Sequence, residues 1–519
     1  MPTWKELIDE LKFRREQSLE LGGEERVKRQ HDAGRLTIRE RINAFVDKDS
    51  FMEVGQLAGT GEYDEEGHLL KVTPSFYVTG LAKVDGRYMM VGGEDFTIRG
   101  GSGGGLEKRK GGQGGFCENM AHMYRIPLVN FVEGAGASPK EAAKGYKRLP
   151  GKDMMIQSCV LTGEVPVVSA IMGPCAGGPA VRAMLGHFSV IVNHTAQIFA
   201  GGPPLVERTM GIKLTKEELG GAVKACKAGV IHNLVESEEE AFETIKRFLS
   251  YMPNNVWELP PRVCTDDPVD RWEEDLLKVV PTNNKRAYDM RKVLNLILDK
   301  DSLFEIGALF GPSVICALGR INGYTVGIIA NQPMVLAGAI TADAARKMTH
   351  LQDLCHVFHI PLINFVDCPG VMIGPDAESE GTLRAASIFR QVQFTSDLPR
   401  VTVVIRKFYG MGAALTHEPN INYHIAWPTA EFGSLPVQGG VAAAYKHEIE
   451  AAADPAAKTA EIEAMLQRFA SPFRTAEAFS VEDVIDPRET RMRLCKLVEA
   501  CQPFIQSTLG KNPFYGVRP

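Results

Sequence analysis

The chain has 519 residues, more than one ordinary hydrophobic core organises, so two or more domains are expected. At 44% hydrophobic and 24% charged the composition is globular, and a net charge of −6 gives no reason to expect nucleic acid as a partner. No apolar run of about eighteen residues argues for a membrane span, and ten cysteines without a CxxC pair give no zinc ribbon and no expected metal.

Read in chain order, MPTWKELIDELKFRREQ mixes acids and bases at helical spacing, which suits a surface helix and not an acid-poor transit peptide. LTIRERINAF is a second helical segment, followed by VDKDSFMEVG (46–55). VTGLAKVDGRYMMVGGEDF then reads as a hairpin closed by Asp85-Gly86, because both central positions of a two-residue turn need positive φ. The glycine-dense run from Gly100 to Gly115 is by default a surface loop; its basic residues Lys108, Arg109 and Lys110 could also close over a phosphorylated ligand. IPLVNFV and VPVVSAIM are apolar runs of the kind that form strands buried on both faces. Cys159 and Cys316 are read within such strands as small hydrophobes, a usage that suits a reducing cytoplasm.

A stretch rich in proline, asparagine and aspartate follows at 251–270, and then the whole order returns. YDMRKVLNLI leads to LDKDSLFEIG (298–307), then to a hairpin closed by Asn322-Gly323, then to IPLINFV and VTVVIRK. The chain is therefore a duplication with halves at 1–260 and 261–519, each an α/β domain of strand, glycine turn and helix in repetition.

A strand that ends in glycines and opens a helix leaves backbone N–H groups pointing outward, able to hold a phosphate or a developing oxyanion. Three stretches qualify: Gly173–Gly178, Gly134–Ala137 and Tyr409–Ala413. The plainer reading of each is close packing of strand on helix. No P-loop, dinucleotide fingerprint, GxSxG elbow or HExxH occurs, and no nucleophile–base pair emerges, so the chemistry would rest on backbone donors. Glu133 and Asp367 end matching strands and are read as caps, and His187 as structural.

GRLTIRERI, AGGPPLV (200–206), EELGGA (217–222), GIIANQP (327–333), FVDCPG (365–370), AWPTAEFG (426–433) and DVIDPRETR (483–491) occur in this order. Together they resemble the carboxyltransferase (β) subunits of biotin-dependent acyl-CoA carboxylases, the propionyl-CoA and methylcrotonyl-CoA carboxylase group. The resemblance implies two crotonase-like (ClpP/crotonase) halves, the first for acyl-CoA and the second for carboxybiotin. It implies that the amides of Gly177 and Gly178 hold the thioester enolate and those of Met411 and Gly412 the ureido oxyanion. Gly134, Ala135, Gly136 and Ala137 would line the ligand, and Ala414 falls where the family sets acyl-chain length, with room beyond acetyl. Arg182 is ordinarily a surface or ion-paired arginine; the family context adds contact with a CoA phosphate or a polar acyl group.

The chain has no biotin-acceptor or ATP-binding motif, so the resemblance implies a separate biotin carboxylase and biotin carrier, and a homo-oligomer, typically a hexamer; the cytoplasmic location is expected from the cysteine usage and the N-terminal segment. After Gly220-Gly221-Ala222 the sequence departs from the family's Asp-Val-His, reading Val223-Lys-Ala-Cys-Lys227. A decarboxylase or transcarboxylase subunit of the same fold and a non-catalytic scaffold are the alternatives. A simple crotonase-type hydratase would need a glutamate pair and only one half.

Overall fold

The computed structural model describes residues 2–102, 110–111, 115–136, 155–416, 422–434, 440–441, 444–512 and 516–518. The chain forms two compact units, Met1–Glu258 with Lys511–Pro519, and Leu259–Gly510. Each is built on an eight-stranded sheet with the same strand order. In the first, the antiparallel hairpin Tyr77–Val84 and Arg87–Glu94 continues into parallel strands Leu128–Gly134, Val167–Ala176, Phe188–Val192 and Asn233–Val235. In the second, the hairpin Val314–Ile321 and Tyr324–Asn331 continues into Leu362–Cys368, Arg400–Tyr409, Asn422–Ala426 and Asp483–Val484. The two central strands of each sheet are buried along nearly their whole length, as unbroken apolar runs demand.

The repeated DKDS phrase has a mechanical job. Asp85 and Gly86 take φ of 49° and 76°, and Asn322 and Gly323 take 51° and 78°, the left-handed pair a type I′ turn requires. Such a turn leaves its own amides exposed. Asp47 accepts from Asp85 N and Gly86 N at 3.0 and 2.8 Å, and Asp299 accepts from Asn322 N and Gly323 N at 3.0 and 2.7 Å. Ser50 and Ser302 brace the strands beside them, each accepting a strand amide at 3.1 Å.

Helices cover the sheets through narrow apolar stripes. Thr37 and Glu40 form a capping box that starts Ile38–Phe45, whose Ile38, Ile42 and Phe45 are buried. Phe45 meets Phe131 edge-on at 5.4 Å; burying one such ring stabilises by roughly 1.5–3 kcal/mol. In the second unit Asp289 caps Met290–Ile297, which buries Met290, Val293, Leu294 and Ile297 on its own sheet.

Two features differ from the sequence reading. The tail belongs with the first unit, although it follows the second half in chain order: Val517 N donates to Thr162 O at 3.1 Å and Lys511 pairs with Glu164. Cys159 lies exposed on the helix Ile156–Leu161 and not in a strand, whereas Cys316 is buried in one. Among the described residues no helix is long and apolar enough to cross a membrane.

Candidate active site

In the first unit the strands Leu128–Gly134 and Val167–Ala176 run parallel, so their glycine-rich ends arrive side by side. Gly177 takes φ 65°, a turn that favours glycine, and is the N-cap of the helix Gly178–Met184. Gly178, the first helical residue, has an amide with no partner inside the helix, and Pro179 has no N–H at all. The amides at this end without an intrahelical partner are thus those of Gly177, Gly178 and, past the proline, Ala180. Gly136 packs on the same end: a Cβ there would lie 2.8 Å from Ala176 O and 3.7 Å from Gly177 Cα. Ala135 is exposed beside it, its N–H bonded to Gly100 O at 2.9 Å. Ala137 lies outside the described residues.

Beneath this end sits an ionic core. Glu133 is fully buried and receives Arg41 at 2.7 Å, Arg35 at 2.8 Å and Gln30 at 2.8 Å. Burial disfavours the Arg41 charge, but Glu133 and Glu238 outweigh it and hold its pKa above the ordinary value. Arg182, 1% exposed, pairs with Glu94 and lies 5.7 Å from the Tyr77 ring. Burial still leaves the Glu94 carboxyl raised, against the lowering by Arg182. The pair ties the short glycine-led helix to the end of the strand Arg87–Glu94. Arg182 is therefore an internal anchor and presents no accessible charge to a ligand.

The second unit repeats the layout. Both central strand pairs carry an irregularity at the same place, which matches Gly134 to Cys368 and Cys175 to Phe408. Counting on, Gly177 corresponds to Gly410, Gly178 to Met411 and Pro179 to Gly412. Gly410 is again left-handed, at φ 54°, and opens the short helix Gly410–Ala414. Met411 and Gly412 are its second and third residues, so their amides have no intrahelical partner either. Gly412 has no room for a side chain; a Cβ would lie 2.5 Å from Cys368 Sγ and 2.7 Å from the Gly370 backbone. The far end of this helix is held from below. Arg390 donates to Ala414 O, Gln393 to Leu415 O at 3.0 Å, and Asn364 and Thr402 to Thr416 O at 3.1 and 2.9 Å. Ala414, half-buried, closes the helix. Exposed apolar side chains mark the loops that follow the three strand ends: Met334, Leu336, Met372, Ile373 and Met411.

Several sequence readings are corrected. Glu133 and Asp367 do not cap helices. Asp367 is fully buried and accepts from Arg406 Nε at 2.8 Å and Lys407 N at 3.2 Å. Lys110, from the glycine-dense run, is buried against Glu53 at 3.4 Å, with a pKa lowered by that burial, and is not free to close on a ligand. Lys108 and Arg109 lie outside the described residues. His187 is structural as read: Nδ1 accepts from Val167 N at 2.9 Å, so Nε2–H donates to Thr162 O at 2.9 Å. Arg41, Glu94, Arg390 and Arg406 were missed, and no local pattern marks them, since their partners are far away in sequence. Among the described residues one cluster has metal-ligand spacing, Asp64, Glu66 and His68. There Asp64 already accepts from the amides of Glu66 and His68, as a turn does.

Two sheets of one topology, each with a glycine turn presenting helix-start amides, are the mark of a duplicated crotonase-like fold. The chain belongs to the carboxyl transferase domain family, whose model matches residues 29–503. It is 36% identical over 501 residues to the propionyl-CoA carboxylase carboxyltransferase subunit of Haloferax mediterranei, 95% of each chain. It is 32% identical to the methylmalonyl-CoA decarboxylase subunit alpha of Veillonella parvula, over 91% of each. Transcarboxylase 12S, solved as a hexamer with methylmalonyl-coenzyme A and methylmalonic acid bound, superimposes with a TM-score of 0.88 at 30% identity, covering 100% of this chain and 99% of that one.

Proposed function

We propose that the chain is the carboxyltransferase subunit of a biotin-dependent acyl-CoA carboxylase, with a propionyl-CoA-like substrate in the first unit and carboxybiotin in the second. The single observation that carries this reading is the register match that puts the Gly178 and Met411 amides at the same place in two copies of one fold. Carboxybiotin, held on a partner carrier, would supply the carboxyl group and a base for the α-proton. The chain's part is electrostatic. Amides of Gly177 and Gly178 hold the thioester oxygen as it gains charge, and those of Met411 and Gly412 hold the ureido oxygen. Donors fixed in advance need no reorganisation as charge develops, so anchoring by Arg182 and by Arg390 and Gln393 serves the chemistry. Gly134, Ala135, Gly136 and Ala137 would line the thioester. The second unit suits an uncharged ring, because exposed apolar side chains, Met334, Leu336, Met372, Ile373 and Met411, surround its helix start.

A homo-oligomer, a biotin carboxylase partner and a cytoplasmic location belong to the same proposal. The decarboxylase or transcarboxylase direction is the second reading, favoured by the similarity to methylmalonyl-CoA decarboxylase and transcarboxylase 12S. The test is free biotin with methylmalonyl-CoA or malonyl-CoA and the purified chain. Biotin-dependent loss of the carboxyl group, faster with methylmalonyl-CoA, is expected. No biotin-dependent turnover from the assembled protein on any acyl-CoA of a wider panel would leave a scaffold.

A further inference from the structure

The second unit braces its glycine turn with a chain of polar contacts that has no counterpart in the first. Tyr409 ends the strand Arg400–Tyr409 and is the N-cap of the helix Gly410–Ala414, so it directly precedes the left-handed Gly410 and the Met411 amide. Tyr409 is buried, and its hydroxyl donates to Glu431 Oε2 at 2.8 Å. Burial and that carboxylate both push the Tyr409 pKa above the ordinary value, so the hydroxyl keeps its proton and acts as the donor. Glu431 is held in turn by Asn284, whose Nδ2 donates to both carboxylate oxygens at 2.9 and 3.1 Å. Asn284 belongs to the segment 281–286, where the carbonyls of Pro281, Asn283 and Arg286 accept from Arg406 at 3.3, 3.2 and 2.8 Å. The strand Glu431–Gly433 also runs parallel to the end of Arg400–Tyr409, pairing Lys407 with Glu431 and Tyr409 with Gly433. Its continuation reaches the turn itself, since a Cβ on Gly410 would lie 2.9 Å from Ser434 O.

The first unit builds the same turn without these groups. Pro174 pairs with Gln197 as Lys407 pairs with Glu431, so Gln197 stands for Glu431 and Ala176 for Tyr409. Ala176 has no hydroxyl to donate. Counted from the repeated DKDS phrase, Asp32 stands for Asn284, and it pairs with Lys28 of its own helix at 2.7 Å. Gly177 is nonetheless left-handed and opens its helix. The fold thus needs the turn but not the tyrosine, the glutamate or the asparagine. What they add is a fixed direction. An amide that stabilises developing charge works best when it is oriented before the charge appears. Gly410 has the widest backbone freedom of any residue type, so the direction of the next amide depends on what holds its flanks. Arg390 and Gln393 hold the far end of the helix, and Tyr409 holds the near end.

We propose that Tyr409, Glu431 and Asn284 are positioning residues for the ureido half of the reaction, fixing the Gly410 turn so that the Met411 amide points at the developing oxyanion. The inference rests on the reading of the second unit as the carboxybiotin side. Each of the three acts through the backbone of Gly410 and Met411.

Its test has a kinetic arm and an exchange arm, both on the full-length assembled protein. Tyr409→Phe removes only the hydroxyl. Asn284→Asp sets a second carboxylate against Glu431 and breaks the chain, and adding Glu431→Gln restores it with donor and acceptor exchanged. With free biotin and methylmalonyl-CoA, each single variant should lower kcat about tenfold at unchanged KM for methylmalonyl-CoA, the effect of losing one hydrogen bond to a charged group. The double variant, Asn284→Asp with Glu431→Gln, should recover most of the loss. In the exchange arm, amide hydrogens of the segment 406–415 should exchange faster in the single variants and return to the wild-type rate in the double variant. Faster exchange there at wild-type kcat would show a brace without catalytic use and overturn the proposal. A loss of kcat that the double variant does not recover, or one accompanied by an equal rise in KM for methylmalonyl-CoA, would show a general structural effect and overturn it too. A wild type without biotin-dependent turnover would sink the carboxyltransferase reading, and the exchange arm then decides alone: the same pattern supports a brace on the Met411 amide, and exchange that no variant moves overturns it.

Discussion

The two units solve one problem in opposite ways. Each buries a carboxylate at the same strand position, Glu133 in the first and Asp367 in the second, and each must neutralise it. Glu133 takes its cations from outside its sheet, Arg41 on a helix and Arg35 before it. Asp367 takes its cation from the neighbouring strand, Arg406. The register match explains the exchange. The counterpart of Arg406 is Gly173, where an added Cβ would run into the Glu133 carboxylate. The longer acid therefore needs the glycine, and the shorter acid leaves room for the arginine. A second exchange sits at the site itself: small Gly134 faces Pro179, while larger Cys368 faces Gly412. The lesson is that volume and charge are conserved pairwise across the duplication, not residue by residue.

The comparison is broken most severely at Arg406. Replacing it with Met leaves Asp367 buried and unpaired and should cost the second unit about 3–5 kcal/mol in urea unfolding. Arg35→Met should cost clearly less, because Arg41 remains on Glu133. A larger loss from Arg35→Met would reverse the ranking of the two designs.

Next comes the size exchange. Gly412→Ala should displace the helix start and lower biotin-dependent turnover by roughly 10², the effect of one misplaced oxyanion donor. Adding Cys368→Gly should recover part of it, since the Gly370 backbone still crowds the new methyl. A double variant no better than the single one would show that the two positions are not coupled.

Gly173→Ala tests the same idea in the first unit by overpacking Glu133 and should destabilise by about 1–3 kcal/mol, read as a fall in the denaturation midpoint. A neutral result would mean the carboxylate moves aside freely.

The smallest effect concerns pH. Asp95, buried in the first unit, has its carboxyl pushed up to about 6 by that burial; its counterpart in the second unit is Gln332, which does not titrate. The folded carboxyl holds its proton more tightly than the unfolded one near 3.9, so between about pH 4 and 6 the folded state binds more protons. Stability falls as pH rises through that window, and the loss is complete by pH 7. Asp95→Asn should flatten this slope and add on the order of 1–2 kcal/mol at pH 7, measured as unfolding free energy against pH. An unchanged slope would assign it to other groups.

Much of the fold is local and so was written in the sequence. Unbroken apolar runs made the central strands, Asp85-Gly86 and Asn322-Gly323 made the hairpin turns, and the repeated phrases announced two copies of one domain. The glycine turns were visible for the same reason, because positive φ and a missing Cβ restrict the residue that occupies them. Pairings between distant residues were not visible. Arg41 reaches Glu133 across 92 positions and Glu238 across 197, and the tail joins the first unit after the second is complete. Arg182 and Asp367 carried the right residue types, but a charge in a sequence does not say whether it faces water or a buried partner. Burial decides that, and burial exists only once the chain has folded.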